Sequence, residues 1–368
     1  MFVAITNTPR DYAWGSTTAI PSLLGMPVTG LPQAELWLGT HPGSPARTPT
    51  GLLSELTTLP FLLKVLAAAA PLSLQAHPTT AQAIAGFARE NAAGVPLDAP
   101  NRNYKDDRHK PEIIFALTPF RALCGFRPAA ETRAALERLL AEVPGDAVLI
   151  SWLNRLGDDD DIRSTFEWLL SRGSGVSEML TSLVAGAALV DGEHYALIAE
   201  LAAAYPGDPG IAISLMLNLA ILSPGEVLYL PAGNIHAYIE GLGIELMAAS
   251  DNVLRGGLTP KHVDVPELLS VLDFEPLPAP YLPPVVLGDG VLAYRPGVPD
   301  FQLLHVTGDA SLEIAADAIV LCTAGSFRVS GSRGSAPIER GRAYFVSADE
   351  LRLDVSGSGE LFFATSGT

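Results

Sequence analysis

The hydrophobic period of this chain changes twice, and no other feature limits its possible folds as strongly. Up to about residue 120, short apolar runs alternate with turns. Phe61–Ala67, Leu72–His77 and Ile113–Leu117 read as strands, and Thr79–Asn91 reads as a helix after a Pro-Thr-Thr start. From about residue 128 to 205, apolar residues instead recur at helical spacing. Leu136, Leu139, Leu140 and Val143 form one such face, and Ile162, Phe166, Leu169 and Leu170 a second. Met179, Leu180, Leu183 and Val184 form a third, and Leu197, Ile198, Leu201 and Tyr205 a fourth. The β pattern resumes near Leu215, after the turn Tyr205–Gly210. A helical block inserted into a β domain requires the flanking β segments to meet in space. Segments near residues 75 and 236 then become neighbours.

A proline-rich stretch, 273–284, leads into a second all-β region, 285–368. Gly225–Gly233 and Gly341–Asp349 share a layout of glycine, short apolar strand and turn, and the second copy has no histidine to match His236. The expected fold is mainly β with a helical insertion, built on two β barrels in tandem. Residues 1–127 and 211–272 would form the first barrel, which carries the metal, and 128–210 the insertion. The C-terminal region, 285–368, would form a metal-free barrel.

Composition narrows the function classes. The net charge of −17 leaves no basic face for nucleic acid, so an anion site must be a local cluster of Lys and Arg. Two cysteines, Cys124 and Cys322, in 368 residues make no disulfide framework, which points to a reducing, cytoplasmic setting. Met1–Arg10 lacks a charged head followed by a long apolar core, and the apolar stretch Phe61–Ala76 is broken by Lys64 and Pro71, so neither a signal peptide nor a membrane span is expected. The acidic run Asp158–Asp161 reads as a solvated helix start.

The chemistry-bearing residues lie in Pro71-Leu-Ser-Leu-Gln-Ala-His-Pro78, His109-Lys-Pro-Glu112 and Pro231-Ala-Gly-Asn-Ile-His236. Side chains two apart on a strand point the same way, so Gln75 and His77 can reach one point together. Glu112 and His236 would complete a shell of two imidazoles, one carboxylate and one amide oxygen. That set suits Zn²⁺ or a neighbouring divalent ion. A lone histidine such as His41, His194, His262 or His305 reads as structural or solvated. Lys64 and Lys110 sit among apolar residues, where a buried ammonium needs a partner unless it snorkels to the surface. Arg255 has a structural alternative in a pair with Asp251, and Trp14 and Trp37 could be plain core.

Gly225-x5-Pro231-x-Gly233-x2-His236 has the form of the second cupin motif, although Glu240 stands where that pattern usually has Asn. A longer series of blocks is more specific. Tyr12-Ala-Trp-Gly-Ser16, Ala34-Glu-Leu-Trp-Leu-Gly-Thr-His-Pro42, Leu72–Pro78, His109–Glu112 with Ala116-Leu-Thr-Pro-Phe120, and His236-Ala-Tyr238 to Ser250–Lys261 occur in order. Together they closely resemble the type I phosphomannose isomerase family over the first 268 residues. The resemblance implies a cupin-type jelly-roll fold. It also implies one Zn²⁺ per chain on Gln75, His77, Glu112 and His236, with Arg255 as the catalytic arginine. Trp14, Lys64, Ser73, His109, Lys110, Tyr238, Glu245 and Asp251 match pocket positions. The implied reaction interconverts mannose 6-phosphate and fructose 6-phosphate through an enediol and feeds GDP-mannose metabolism. No nucleic-acid, membrane or protein partner is expected. One departure is visible: Thr79-Thr80 follow Pro78 where many members carry a lysine, so a phosphate contact is either lost or taken over by hydroxyls. For the base, Glu245, His109 and a zinc-bound water acting through Lys110 are all chemically possible. A metal cupin with other chemistry, such as an iron oxygenase, and a non-catalytic sugar-phosphate sensor are the alternative functions.

Overall fold

The computed structural model describes residues 1–367. Two nine-stranded antiparallel sheets carry the fold, with helices packed against one of them. The first sheet runs in the order Val227–Leu230, Glu112–Ala116, His236–Ala248, Phe61–Ala68 and Glu35–Gly39. Gln75–Ala76, Phe120–Phe126, Leu217–Leu222 and Leu254–Arg255 branch from the near end of the long strand His236–Ala248. The strand pairings do not close into a ring among the described residues. The fold is thus mainly β with helices.

The helical spacing from 128 to 205 is met by Ala129–Glu142, Ala147–Arg155, Ile162–Leu170, Val176–Ala187 and Glu193–Ala204. Their buried faces form one core with Leu74, Ala76, Leu123, Ala237 and Ile239, behind the strands that carry Gln75 and His236. The acidic run caps rather than coordinates. The Asp158 side chain accepts from Asp160 N, and the Asp159 side chain accepts from Ala129 N at 2.7 Å.

The second sheet contains Val285–Gly288, Val291–Tyr294, Gln302–Val306, Ala310–Glu313, Ala318–Ser330, Ser335–Glu339, Ala343–Val346 and Arg352–Thr365. Its remaining strand is Phe2–Ile5, paired with Ala343–Val346, so the chain starts in the sheet where it ends. The two copies of the glycine–strand–turn layout are Gly225 before Val227–Leu230 and Gly341 before Ala343–Val346. Both glycines sit at positive φ, 94° and 80°, which the tight turn demands. The proline-rich stretch lies against the first sheet: Tyr229 N donates to Pro280 O and Leu282 N to Val227 O. A shared core joins the two sheets, with Leu63, Val65, Ile113, Phe115, Ile244 and Leu246 meeting Tyr294, Leu303, Ile319, Leu321, Phe345 and Phe362.

That shared core fixes the opposite face. Along Phe61–Ala68 the residues facing it are Phe61, Leu63, Val65 and Ala67, so Lys64 and Leu66 point the other way. The same alternation turns Glu112 and Ile114 away from Ile113 and Phe115, and Glu245 away from Ile244 and Leu246. Register then places Glu245 opposite Lys64, and Met247 opposite Glu112.

Candidate active site

One long strand supplies two parts of the site because its alternation is interrupted. His236 and Tyr238 face the same side as Glu245, although they lie nine and seven positions before it, odd offsets that a regular strand would place on opposite faces. A bulge between Tyr238 and Glu240, where the register against Phe120–Phe126 shifts, supplies the extra residue that reverses the parity. Gly241 follows at φ 137°, and a Cβ there would lie 2.4 Å from the Phe120 ring, so only glycine fits the corner. Glu240 turns outward and pairs with Arg121 at 2.9 Å.

Gln75–Ala76 is a strand of only two residues, shorter than the expected Leu72–His77. Pro71 and Pro78, which lack N–H groups, bracket the segment. It is still held along its length: Leu72 N donates to Tyr238 O, Leu74 N to Gly257 O, and Gly233 N to His77 O. Gln75 is paired with both His236 and Arg255.

His77, Glu112 and His236 converge at the bottom of this arrangement, with ligating atoms all within 4.8 Å of one another. Glu112 Oε1 is 3.4 Å from His77 Nε2, and Glu112 Oε2 is 3.3 Å from His236 Nε2. The two Nε2 atoms and Glu112 Oε2 are buried without a hydrogen-bond partner. Three orphaned polar atoms aimed at one point are costly unless a cation joins them. Each imidazole is oriented through its other nitrogen. His77 Nδ1 is 2.7 Å from Asn252 O, and His236 Nδ1 is 3.0 Å from Asn234 O. Donation to a carbonyl leaves each Nε2 lone pair free for a metal. Burial, with Lys110 adding to it, pushes the His77 imidazole down to about 4, so it is neutral near pH 7. Burial alone would raise Glu112, but Lys110 at 2.8 Å and the two imidazoles outweigh it and hold the carboxyl well below the usual range. A neutral-nitrogen and anionic-oxygen set of this kind fits a divalent ion such as zinc.

The cluster opens on a cavity of about 360 Å³. Trp14, Lys64, Ser73, Gln75, Lys110, Glu112, Tyr238, Glu245 and Arg255 line it, all of them positions expected from the sequence. Lys64 Nζ is 2.8 Å from Glu245 Oε2 and 3.5 Å from Glu35 Oε1, so both lysines among the buried residues are paired rather than snorkelling. Burial would lower Lys64, but Glu245 and Glu35 reverse that and raise it. Burial raises Glu245, Glu112 and Glu35 add to this, and Lys64 only partly opposes it. Arg255 and Lys261, by contrast, have no carboxylate within 4 Å among the described residues. Burial lowers both, and Arg255 adds to the effect on Lys261.

Two expected residues are placed elsewhere. His109 does not line the cavity, and its Nε2 lies 2.8 Å from Asp300 Oδ2 in the C-terminal region. His109 lies in the irregular segment before the strand Glu112–Ala116, and its neighbour Lys110 pairs instead with Glu112 at 2.8 Å. Asp251 also lies off the cavity, more than half exposed, and pairs with His41 at 3.4 Å rather than with Arg255. The hydroxyls that follow Pro78 do not reach the cavity either. Thr79 is the N-cap of the helix Thr80–Ala92 and accepts from Gln82 N. Sequence reasoning missed Glu35, Tyr12, Tyr205 and Lys261 as lining residues. Glu35, Tyr12 and Lys261 lie inside the blocks already singled out, while Tyr205 comes from the end of the helical region.

Comparison with known proteins agrees with this geometry. The family model for the catalytic domain of type I phosphomannose isomerase matches residues 52–129. Mannose-6-phosphate isomerases of Salmonella typhimurium and Escherichia coli are each 38% identical to the chain over 385 residues, covering 97% of both sequences. The Homo sapiens protein of that name is 34% identical, covering 93% of this chain and 92% of its own. A zinc-bound crystal structure of mannose 6-phosphate isomerase superposes with a TM-score of 0.92 at 35% identity, covering 100% of each chain. The apo form from Salmonella typhimurium gives 0.92 at 36%, covering 100% of this chain and 99% of that one. With that identity sustained from end to end, and with His77, Glu112 and His236 converging as the matching blocks require, the chain belongs to the type I mannose-6-phosphate isomerase family.

Proposed function

We propose that the chain interconverts mannose 6-phosphate and fructose 6-phosphate as a zinc-dependent aldose–ketose isomerase. The observation that carries this reading is the buried His77–Glu112–His236 set, with both Nε2 atoms and Glu112 Oε2 lacking a hydrogen-bond partner, opening on a cavity whose Arg255 and Lys261 have no carboxylate within 4 Å among the described residues. Gln75, His77, Glu112 and His236 would hold the metal. Zinc at such a site supplies a Lewis acid that polarises sugar oxygens at neutral pH.

The chain's own residues account for the remaining requirements. Glu245 is the candidate base on the cavity, since His109 faces Asp300. It takes the proton from C2 of the aldose and returns it to C1, while the O2 hydroxyl proton passes to O1, so the enediol collapses to the ketose with no net proton gained or lost. Lys64 holds the carboxyl in place and limits how far burial raises it. Arg255 stabilises negative charge on the enediol oxygens, and Lys261 beside it anchors the phosphate. Lys110 hydrogen-bonds the sugar oxygens. Tyr12 and Trp14, stacked with centroids 5.7 Å apart, wall one side of the cavity and exclude water.

We read the first sheet with its branches, within 1–127 and 211–272 but without Phe2–Ile5, as a cupin-type jelly-roll barrel. Residues 128–210 are its helical insertion, 273–284 the linker, and 285–368 a second, metal-free barrel completed by Phe2–Ile5. The repeated Gly225 and Gly341 turns support this. Two buried free cysteines suit a reducing cytoplasm, and no described helix is long and apolar enough to cross a membrane. A coupled assay for fructose 6-phosphate tests the function. The expected result is turnover abolished by a chelator and restored by zinc. Mannose 6-phosphate binding without turnover by the zinc-loaded protein would favour a sensor instead, and oxygen consumption would favour an oxygenase.

A further inference from the structure

Asn252 is fully buried, and both of its amide atoms are bonded. Its Oδ1 accepts from Lys105 N at 2.7 Å and from Asp106 N at 3.2 Å. Its Nδ2 donates to Asp106 O at 2.9 Å and to Arg108 O at 2.8 Å. Asp106 returns the contact: its Oδ1 accepts from Ser250 Oγ at 2.8 Å, and its Oδ2 from Asp251 N at 2.9 Å. Ser250 Oγ in turn accepts from Asn252 N at 3.2 Å. The segment clasped on one side, 105–108, runs directly into Lys110 and Glu112. The segment on the other side, 250–252, runs into Leu254–Arg255, which pairs with Gln75–Ala76. Between them, the Asn252 main-chain carbonyl faces His77 Nδ1 at 2.7 Å.

We infer that Asn252, held by Asp106 and Ser250, is the positioning residue of the metal centre. It sets the tautomer and ring angle of His77 through its carbonyl and fixes the approach of the Glu112 strand through its amide. This rests on the metal reading proposed above. No part of the clasp enters the cavity, so it acts through the ligands. A histidine ligand whose other nitrogen loses its fixed acceptor binds metal more weakly, by about 10–100-fold in comparable sites. An aspartate at 252 would lose the donor bonds to Asp106 O, Asp106 Oδ1 and Arg108 O and bury a charge against these oxygens, so asparagine is the residue that satisfies all four main-chain partners.

The test compares the full-length parent with Asn252→Ala and Ser250→Ala. Zinc affinity is read by competition with a chromophoric chelator, and the His77 tautomer by long-range ¹H–¹⁵N imidazole spectra. Asn252→Ala is expected to bind zinc about 10–100-fold more weakly, and its His77 should no longer be fixed as the Nδ1–H form. Ser250→Ala, which removes a single hydroxyl, is expected to shift both readouts the same way by less, and it decides the matter if Asn252→Ala does not fold. A folded variant that keeps parental zinc affinity and a fixed His77 tautomer would overturn the positioning role alone. A parent that binds no zinc would instead overturn the metal reading beneath it.

Discussion

Lys64 and Glu245 face each other across adjacent strands, with Nζ and Oε2 2.8 Å apart and both side chains buried. The lysine counters the burial that raises Glu245, while Glu112 and Glu35 raise it further. If Glu245 is the base, it works only when ionised, so kcat/KM should fall as pH drops through its folded-state value. That acid limb is expected above the ordinary glutamate range of about 4.3. Lys64→Met removes the lowering influence and should move the limb to still higher pH. An acid limb in the same place in both proteins would exclude Glu245 as the titrating group.

Arg255 and His236 should separate by readout. Arg255 lines the cavity with no carboxylate within 4 Å among the described residues and does not belong to the converging donor set, so Arg255→Ala should keep zinc and lose most of kcat, on the order of 10²–10³-fold. His236→Ala should lose both metal and activity. Elemental analysis alongside steady-state kinetics checks the pair, and zinc loss from Arg255→Ala would mark the arginine as structural.

Thr79 and Thr80 follow Pro78, and the Thr79 hydroxyl caps the helix Thr80–Ala92 in a reciprocal pair with Gln82. Thr79→Ala should therefore destabilise the protein by about 1 kcal/mol while leaving KM for the sugar phosphate within roughly twofold. Urea unfolding and kinetics on the same preparation measure both. A large rise in KM would mean that the hydroxyl serves the substrate.

Phe115 joins the two sheets, with ring centroids 5.6 Å from Tyr294, 5.0 Å from His305 and 4.9 Å from Phe362. It is 1% exposed, so Phe115→Ala should cost about 3–5 kcal/mol. The strand that carries Glu112 would lose its backing at the same time, so zinc affinity should fall with stability. Denaturant melts with and without added zinc follow the two effects, and a loss under about 1 kcal/mol would mean that the sheets hold together without this contact.

Local sequence determined much of this protein. The switch from β to helical spacing located the helices, because amphipathic periodicity is written in consecutive residues. The spacing of Gln75 and His77, which aims both at one point, and the motifs that carry Glu112 and His236 mark candidate ligands in the sequence, and His77, Glu112 and His236 converge in the structure. Tertiary structure decided which way side chains point along strands buried on both faces. Phe61–Ala68 is apolar at nearly every position, so nothing local shows that Lys64 faces the cavity while Leu63 and Val65 face the second sheet. Register across His236–Ala248 decided that, and the bulge at Tyr238–Glu240 decided that His236 and Glu245 share a side. Folding of the irregular segments beside these strands placed His109 against Asp300, Asp251 against His41 and Asn252 at the centre of a clasp. A residue's type can be read from its neighbours in the chain, but its direction depends on strands that pair with it from far away.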